Sequence, residues 1–189
     1  FFFFSQGLKE SKKNKKFNII IPASNSFGTG SHESTFLALK NIECILKKKR
    51  VIKCFDLGTG TGILTFAMRK ITKKKIYSSD CDLNAGKNFN INKKINYLNN
   101  VFFFHCWGFN HFSLKKQKFD LIVSNLFLNP LKKLTKDFWY HLTKNGILII
   151  SGILKNQRNE LIMHFTKFNL KLLKINYIGN WTSIVFQKK

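Results

Sequence analysis

A chain of 189 residues, 44% of them hydrophobic and 21 of them Phe, suits a single domain that buries about 70% of its unfolded surface. No apolar run approaches the roughly 18 residues of a membrane span, and the opening Phe run lacks the charged flank and cleavage site of a signal peptide. These features exclude a membrane-embedded helix and predict a cytoplasmic protein with no membrane partner. The formal net charge is +24, and only three of the 33 basic residues are Arg (Arg50, Arg69, Arg158). Lys, Asn, Ile and Phe are all heavily used, so the charge reads chiefly as compositional bias with solvated loop rims. RNA contact through basic loops is the competing reading. Its candidates are KKNKK (12–16), KKKR (47–50), KKK (73–75) and KKQK (115–118). Cys44, Cys54, Cys81 and Cys106 show neither C-x-x-C nor zinc-ligand spacing, which predicts buried free thiols in a reducing compartment and no metal site. The chain starts on Phe, not Met, as a fragment or a processed form would.

Residues 1–25 read as an N-terminal linker or extension, and 26–189 as the domain. An extended FNIIIPASNSF leads into SFGTGSHEST (26–35) and a helix expected to open at Ser31, with Glu33 or Ser34 in its first turn. VIKCFD (51–56) reads as a buried strand ending in an acid, followed by a glycine turn and an amphipathic helix to Lys70. KIYSSD (75–80) is a second strand, with a helix over 82–96. VFFFH (101–105) and FDLIVSN (119–125) follow as the third and fourth. Asn129 is the expected N-cap of the next helix, with Pro130 in its first turn. GILIIS (146–151) is a fifth strand, and a helix is expected from Lys155 to Phe168. LKLLKINYIG and WTSIVFQ close the chain in direct succession, as an antiparallel pair does. The alternation predicts an α/β, Rossmann-like, doubly wound and mostly parallel sheet of seven strands with a C-terminal antiparallel hairpin at one edge.

The turn Asp56-Leu57-Gly58-Thr59-Gly60-Thr61-Gly62 stands at the C-terminal end of the first parallel strand, where such folds bind ligands. Glycines there let the backbone turn sharply and let a ligand approach with no Cβ in the way. The dinucleotide fingerprint needs its third glycine where Ile63 stands, which argues against NAD. The D-x-G-x-G-x-G spacing resembles the first motif of S-adenosylmethionine-dependent methyltransferases. Asp80, ending the second strand, is the expected acceptor for ribose hydroxyls, with Asp82 just beyond. Asn125 ends the fourth strand on the same edge, where a side-chain amide oxygen can orient an amine for in-line methyl transfer.

One segment matches no generic methyltransferase motif. Phe27-Gly28-Thr29-Gly30-Ser31-His32-Glu33-Ser34-Thr35 resembles the F-G-T-G-[ST]-H-x-[ST]-T hallmark of the PrmA family, methyltransferases of the large-subunit ribosomal protein L-eleven. The resemblance continues through the glycine loop, SDCD for D-x-D, VSNLFLNPL, SGILKNQ and Trp181, and covers about residues 17–187. Leu83 stands where family members commonly carry Pro. The resemblance implies cofactor contact from Thr35, Gly58, Asp80 and Asn125, with Gly60, Gly62 and Asp56 completing the loop. Gly28, Thr29 and Gly30 would then form a second wall of the same pocket. A Thr hydroxyl beside free N–H groups at a helix start would suit the carboxylate of the cofactor's methionine moiety. His32 reads as a residue orienting that loop.

The implied function is transfer of methyl groups from S-adenosylmethionine to amino groups, Lys side chains and an N-terminal amine, of the ribosomal protein. Family members also carry an N-terminal substrate-recognition domain, which fewer than thirty residues before the first motif cannot supply. The alternatives are a methyltransferase of another protein or of RNA, and a non-catalytic, cofactor-binding module on the ribosome.

Overall fold

The computed structural model describes residues 3–6, 18–22 and 32–189. Strands β3 (Cys54–Leu57), β4 (Ile76–Asp80), β5 (Val101–His105), β6 (Phe119–Asn125), β7 (Leu142–Leu154), β8 (Leu170–Ile178) and β9 (Trp181–Lys188) form one seven-stranded sheet. Its order is β5-β4-β3-β6-β7-β9-β8. The first five are mutually parallel, β9 runs antiparallel to β7, and β8 is the outer edge, antiparallel to β9. The expected doubly wound architecture and terminal hairpin are therefore present. A separate parallel pair, β1 (Phe3–Gln6) with β2 (Asn18–Ile21), was not expected.

The strands sort their side chains onto two faces by simple alternation. Cys54, Leu121, Ile147 and Ile149 join one apolar cluster with α1 (Glu33–Lys48), α2 (Ile63–Thr72) and Phe89 of α3 (Leu83–Ile95). Their neighbours Phe55, Ile122, Leu148 and Ile150 join a second cluster. There they meet α4 (Leu128–Lys133), α5 (Thr135–His141) and α6 (Arg158–Thr166). With both faces covered, the central strands are buried, β3 along its whole length.

Several boundaries moved for identifiable reasons. The first strand of the domain starts at Cys54 instead of Val51, because the Ile52 and Lys53 amides donate to the Asp120 carboxylate at 3.0 and 3.1 Å. Helix α1 begins at Glu33, with His32 as its N-cap. Asn129 is not the cap of α4: Phe127 takes that place, and Pro130 falls in the first turn, where a missing N–H costs nothing. The helix from Lys155 opens as a 3-10 turn to Gln157 before α6. Lys47 and Lys48 belong to the last turn of α1, not to a loop, and face its negative dipole end. Of the cysteines only Cys54 is buried; Cys81 is exposed and the other two lie between. The cluster KKNKK lies outside the described residues.

Candidate active site

A cavity of about 750 Å³ opens at the C-terminal ends of β3, β4 and β6. The glycine turn forms its floor through Gly58, Thr59 and Gly60. Asp80 and Asp82 stand at one side, while Thr35, Asn125 and Trp181 form the opposite wall. Strand ends separated by many residues meet here because parallel strands place all their C-termini on one edge.

The floor is braced from below and from the side. Asp56 is wholly buried, and its Oδ2 accepts from the Thr59 hydroxyl, the Thr65 hydroxyl and the Thr65 amide at 2.7, 2.7 and 3.0 Å. These bonds tie the turn to the first turn of α2. Burial pushes the Asp56 carboxyl up to about 6, against the lowering effect of the two threonines. Asp56 therefore organises the loop and does not line the cavity. Gly62 is also outside the lining. It adopts φ +89, and a Cβ there would fall 2.5 Å from Phe66 and 2.8 Å from Phe89, so packing demands glycine.

Asp80 holds the loop from the side. Its Oδ2 accepts from the Gly60 amide at 2.8 Å, and its Oδ1 from the Asp82 amide at 3.0 Å. Asp82 caps α3 by accepting from the Asn84 amide at 2.9 Å. One face of α3 then continues the wall through Ala85 and Asn88, three residues apart.

The far wall joins α1 to the end of β6. Asn125 Nδ2 donates to Thr35 Oγ1 at 3.2 Å, while Asn125 Oδ1 is buried with no hydrogen-bond partner. Ser151 Oγ donates to the Ser34 carbonyl at 2.7 Å and fixes α1 against β7. His32 caps the helix: its Nδ1 accepts from the Ser34 amide at 3.3 Å, and its carbonyl accepts from the Thr35 and Phe36 amides. Those amides are consequently not the free N–H groups expected beside Thr35. The His32 ring meets Trp181 edge-on, with centroids 4.5 Å apart.

Of the expected site residues, Thr35, Gly58, Gly60, Asp80 and Asn125 meet at one cavity, and Asp56 and Gly62 support it from behind. Gly28, Thr29 and Gly30 lie outside the described residues. Sequence reasoning missed Gly152 as a lining residue. It sits at φ +85, and a Cβ there would come within 2.8 Å of both Asn125 Oδ1 and the Leu126 carbonyl. Its signal was a glycine directly after the expected strand 146–151, inside SGILKNQ; in the structure it lies within β7. Among the described residues there is no group of metal ligands, and no helix is long and apolar enough to cross a membrane.

The family model described as Ribosomal protein L11 methyltransferase (PrmA) matches residues 2–189. The chain belongs to this family. A protein named Ribosomal protein L11 methyltransferase from Prochlorococcus marinus (strain MIT 9312) is 37% identical over 93% of this chain and 59% of its own length. The chain thus spans about three-fifths of that curated relative. A solved ribosomal protein L11 methylase from Lactobacillus delbrueckii subsp. bulgaricus superposes with a TM-score of 0.86 at 24% identity, covering 96% of this chain and 92% of that one. RsmC of T. Thermophilus, a 16S rRNA methyltransferase solved with AdoMet and guanosine, gives 0.68 at 17% identity over 87% and 45%. At these identities both structures establish the fold alone.

Proposed function

We propose that the chain is the catalytic domain of an S-adenosylmethionine-dependent protein methyltransferase acting on amino groups, Lys side chains foremost, of ribosomal protein L11. The observation that carries this reading is Asn125 Oδ1, a buried acceptor left without a partner on a residue that lines the cavity. A buried unpaired amide oxygen costs about 1–3 kcal/mol, an expense a ligand's N–H would recover.

The residues present fit the cofactor. The cavity offers about 750 Å³, a glycine floor and the Asp80 carboxylate, at the strand edge where such folds bind nucleotides. Asp80 accepts hydrogen bonds from ribose hydroxyls while its present bonds keep Gly60 and Asp82 in place. When bound, S-adenosylmethionine supplies a sulfonium-activated methyl group to a neutral nucleophile. Asn125 Oδ1 accepts an N–H bond from the substrate amine and so aims its lone pair. Thr35 holds the Asn125 amide the right way round by taking its Nδ2 bond. Catalysis here is orientation more than acid–base chemistry.

The test is incubation with methyl-labelled cofactor and either free ribosomal protein L11 or whole large subunits, followed by mapping of the label. Label on Lys amino groups of that protein is expected. Label on RNA, or stable cofactor binding with no transfer, would overturn the substrate assignment. Asp80→Ala should weaken cofactor binding by about 1.5–3 kcal/mol in calorimetric titration, the worth of charged hydrogen bonds. An unchanged affinity in the folded variant would remove Asp80 from the site.

A further inference from the structure

Two cysteines directly follow the ends of β4 and β5, next to the cavity-lining Asp80. The parallel ladder of β4 and β5 ends with Asp80 opposite His105, and the Cys106 amide donates to the Asp80 carbonyl at 3.0 Å. Cys81 and Cys106 are the next residues along the two strands. The His105 ring nitrogen donates to the Cys81 carbonyl at 3.0 Å, which fixes the two exits together. Cys106 packs with Tyr77 in the same apolar cluster, and its Sγ reaches the Gly108 carbonyl that also accepts from Ser79. Tyr77 and Ser79 therefore share the Cys106 face, and continuing the alternation carries Cys81 there as well. Burial, and to a lesser degree the neighbouring Cys81, push the Cys106 thiol up. Cys81 is exposed.

We propose that Cys81 and Cys106 form a reversible disulfide that weakens cofactor binding, a thiol switch built into the rim of the site. Its effect on the cofactor rests on the function proposed above; formation of the bond does not. Neighbouring strands lie about 4.7–4.9 Å apart, whereas a disulfide needs its Cβ atoms about 3.5–4.5 Å apart. Closing the bond draws the strand exits together. Cys81 is the sole residue between Asp80 and Asp82, which both line the cavity and are hydrogen-bonded to each other. The strain falls on the turn that presents the Asp80 carboxylate. A cross-link strained in this way is also readily reduced.

The oxidant is a hydroperoxide. The exposed Cys81 thiol gives up its proton as its sulfur attacks one oxygen of hydrogen peroxide, the O–O bond breaks, and the leaving hydroxide takes that proton, so that a sulfenic acid and water result. The Cys106 sulfur then attacks the Cys81 sulfur. The S–S bond forms, the S–O bond breaks, and the hydroxyl leaves with the Cys106 proton as a second water. A small thiol reverses the linkage by exchange.

The experiment treats the full chain with dilute hydrogen peroxide, alkylates the remaining thiols, and maps the peptides by mass spectrometry. A Cys81–Cys106 cross-link two hydrogens lighter than the reduced pair, and removable by dithiothreitol, is expected. Calorimetric titration should show S-adenosylmethionine binding about fivefold or more weaker in the oxidised protein, within the usual range of coupling between sites. Cys81→Ser and Cys106→Ser should bind it equally well before and after peroxide. Cys81 oxidised to the sulfinic acid with Cys106 still open to alkylation would overturn the pairing. A complete cross-link with unchanged affinity would overturn the switch. Failure of the reduced protein to bind S-adenosylmethionine would overturn the cofactor reading, and the peptide map would still decide whether the pair forms.

Discussion

Asp56 Oδ1 and Asn125 Oδ1 are both buried side-chain oxygens without a hydrogen-bond partner, on neighbouring strands of one sheet. Their surroundings differ. The Asp56 carboxylate lies behind the glycine floor, with its other oxygen held by three bonds from its own loop and helix. Its burial shows as a carboxyl that resists ionisation. Asn125 is a lining residue of the cavity, its nitrogen is committed to Thr35, and its oxygen has no partner. An unpaired oxygen in the interior is a matter of stability and pH, whereas one on a cavity wall is a matter of recognition. Burial and pairing alone do not separate a supporting residue from a binding one; whether the residue lines the cavity does.

The most forceful way to break the interior half of this comparison is Gly62→Ala. Gly62 sets the entry of α2, which carries both Thr65 donors to Asp56, and the added methyl would press on buried Phe66 and Phe89. Left-handed strain of about 1–2 kcal/mol and overpacking of about 1–3 kcal/mol should add. The urea midpoint should fall accordingly. An unchanged midpoint would mean that the helix entry tolerates a side chain and that Asp56 is not held as described.

A milder probe is pH. In the unfolded chain Asp56 has the ordinary carboxylate value of 3.8, and in the folded protein about 6. Folding thus favours the protonated form, so this residue's contribution is complete below about pH 4 and is lost as pH rises through 6. The loss is of order 3 kcal/mol, from about two pH units at 1.36 kcal/mol each. Asp56→Asn keeps an oxygen for the threonine donors and removes the charge. Urea unfolding of both proteins from pH 4 to 8 should show the variant gaining on the wild type as pH rises. A constant difference would deny the raised carboxyl.

The two oxygens also mark how far the sequence could be read. Both residues close expected strands whose apolar runs and following turns are plain, so the sheet and the glycine loop were legible. Asp56 and Asp80 look alike in sequence, each an acid closing a strand before a turn. Only the three-dimensional arrangement separates them: Thr65 comes back from α2 onto Asp56, while Asp80 faces Gly60 across a neighbouring strand. The start of β3 was misplaced because Asp120, far along the chain, takes the amides of Ile52 and Lys53. Gly152 and the His32 cap escaped notice for a similar reason, since a Cβ clash with Asn125 and a ring against Trp181 are tertiary facts. Local periodicity carries the elements, but the roles within the site depend on contacts that no window of residues contains.

The smallest effect tests the cavity half directly. Thr35 Oγ1 is the acceptor that fixes the Asn125 amide, so Thr35→Ala should let the amide turn without removing the oxygen. The expected loss is about 1 kcal/mol, the net worth of one hydrogen bond. It should fall mainly on the methyl-transfer rate, because the orientation of an amine matters most in the transition state. Asn125→Ala, which removes the oxygen itself, should cost more turnover than Thr35→Ala and only modestly weaken cofactor binding. Thr35→Ser keeps a hydroxyl at that point and should restore most of the rate. Single-turnover transfer rates beside cofactor affinities, with circular dichroism to confirm folding, separate these cases. Equal rates for Thr35→Ala and wild type would show that the amide is held by something other than this bond. Failure of Thr35→Ser to rescue a slow Thr35→Ala would assign the defect to the lost methyl and its packing instead of to the hydroxyl.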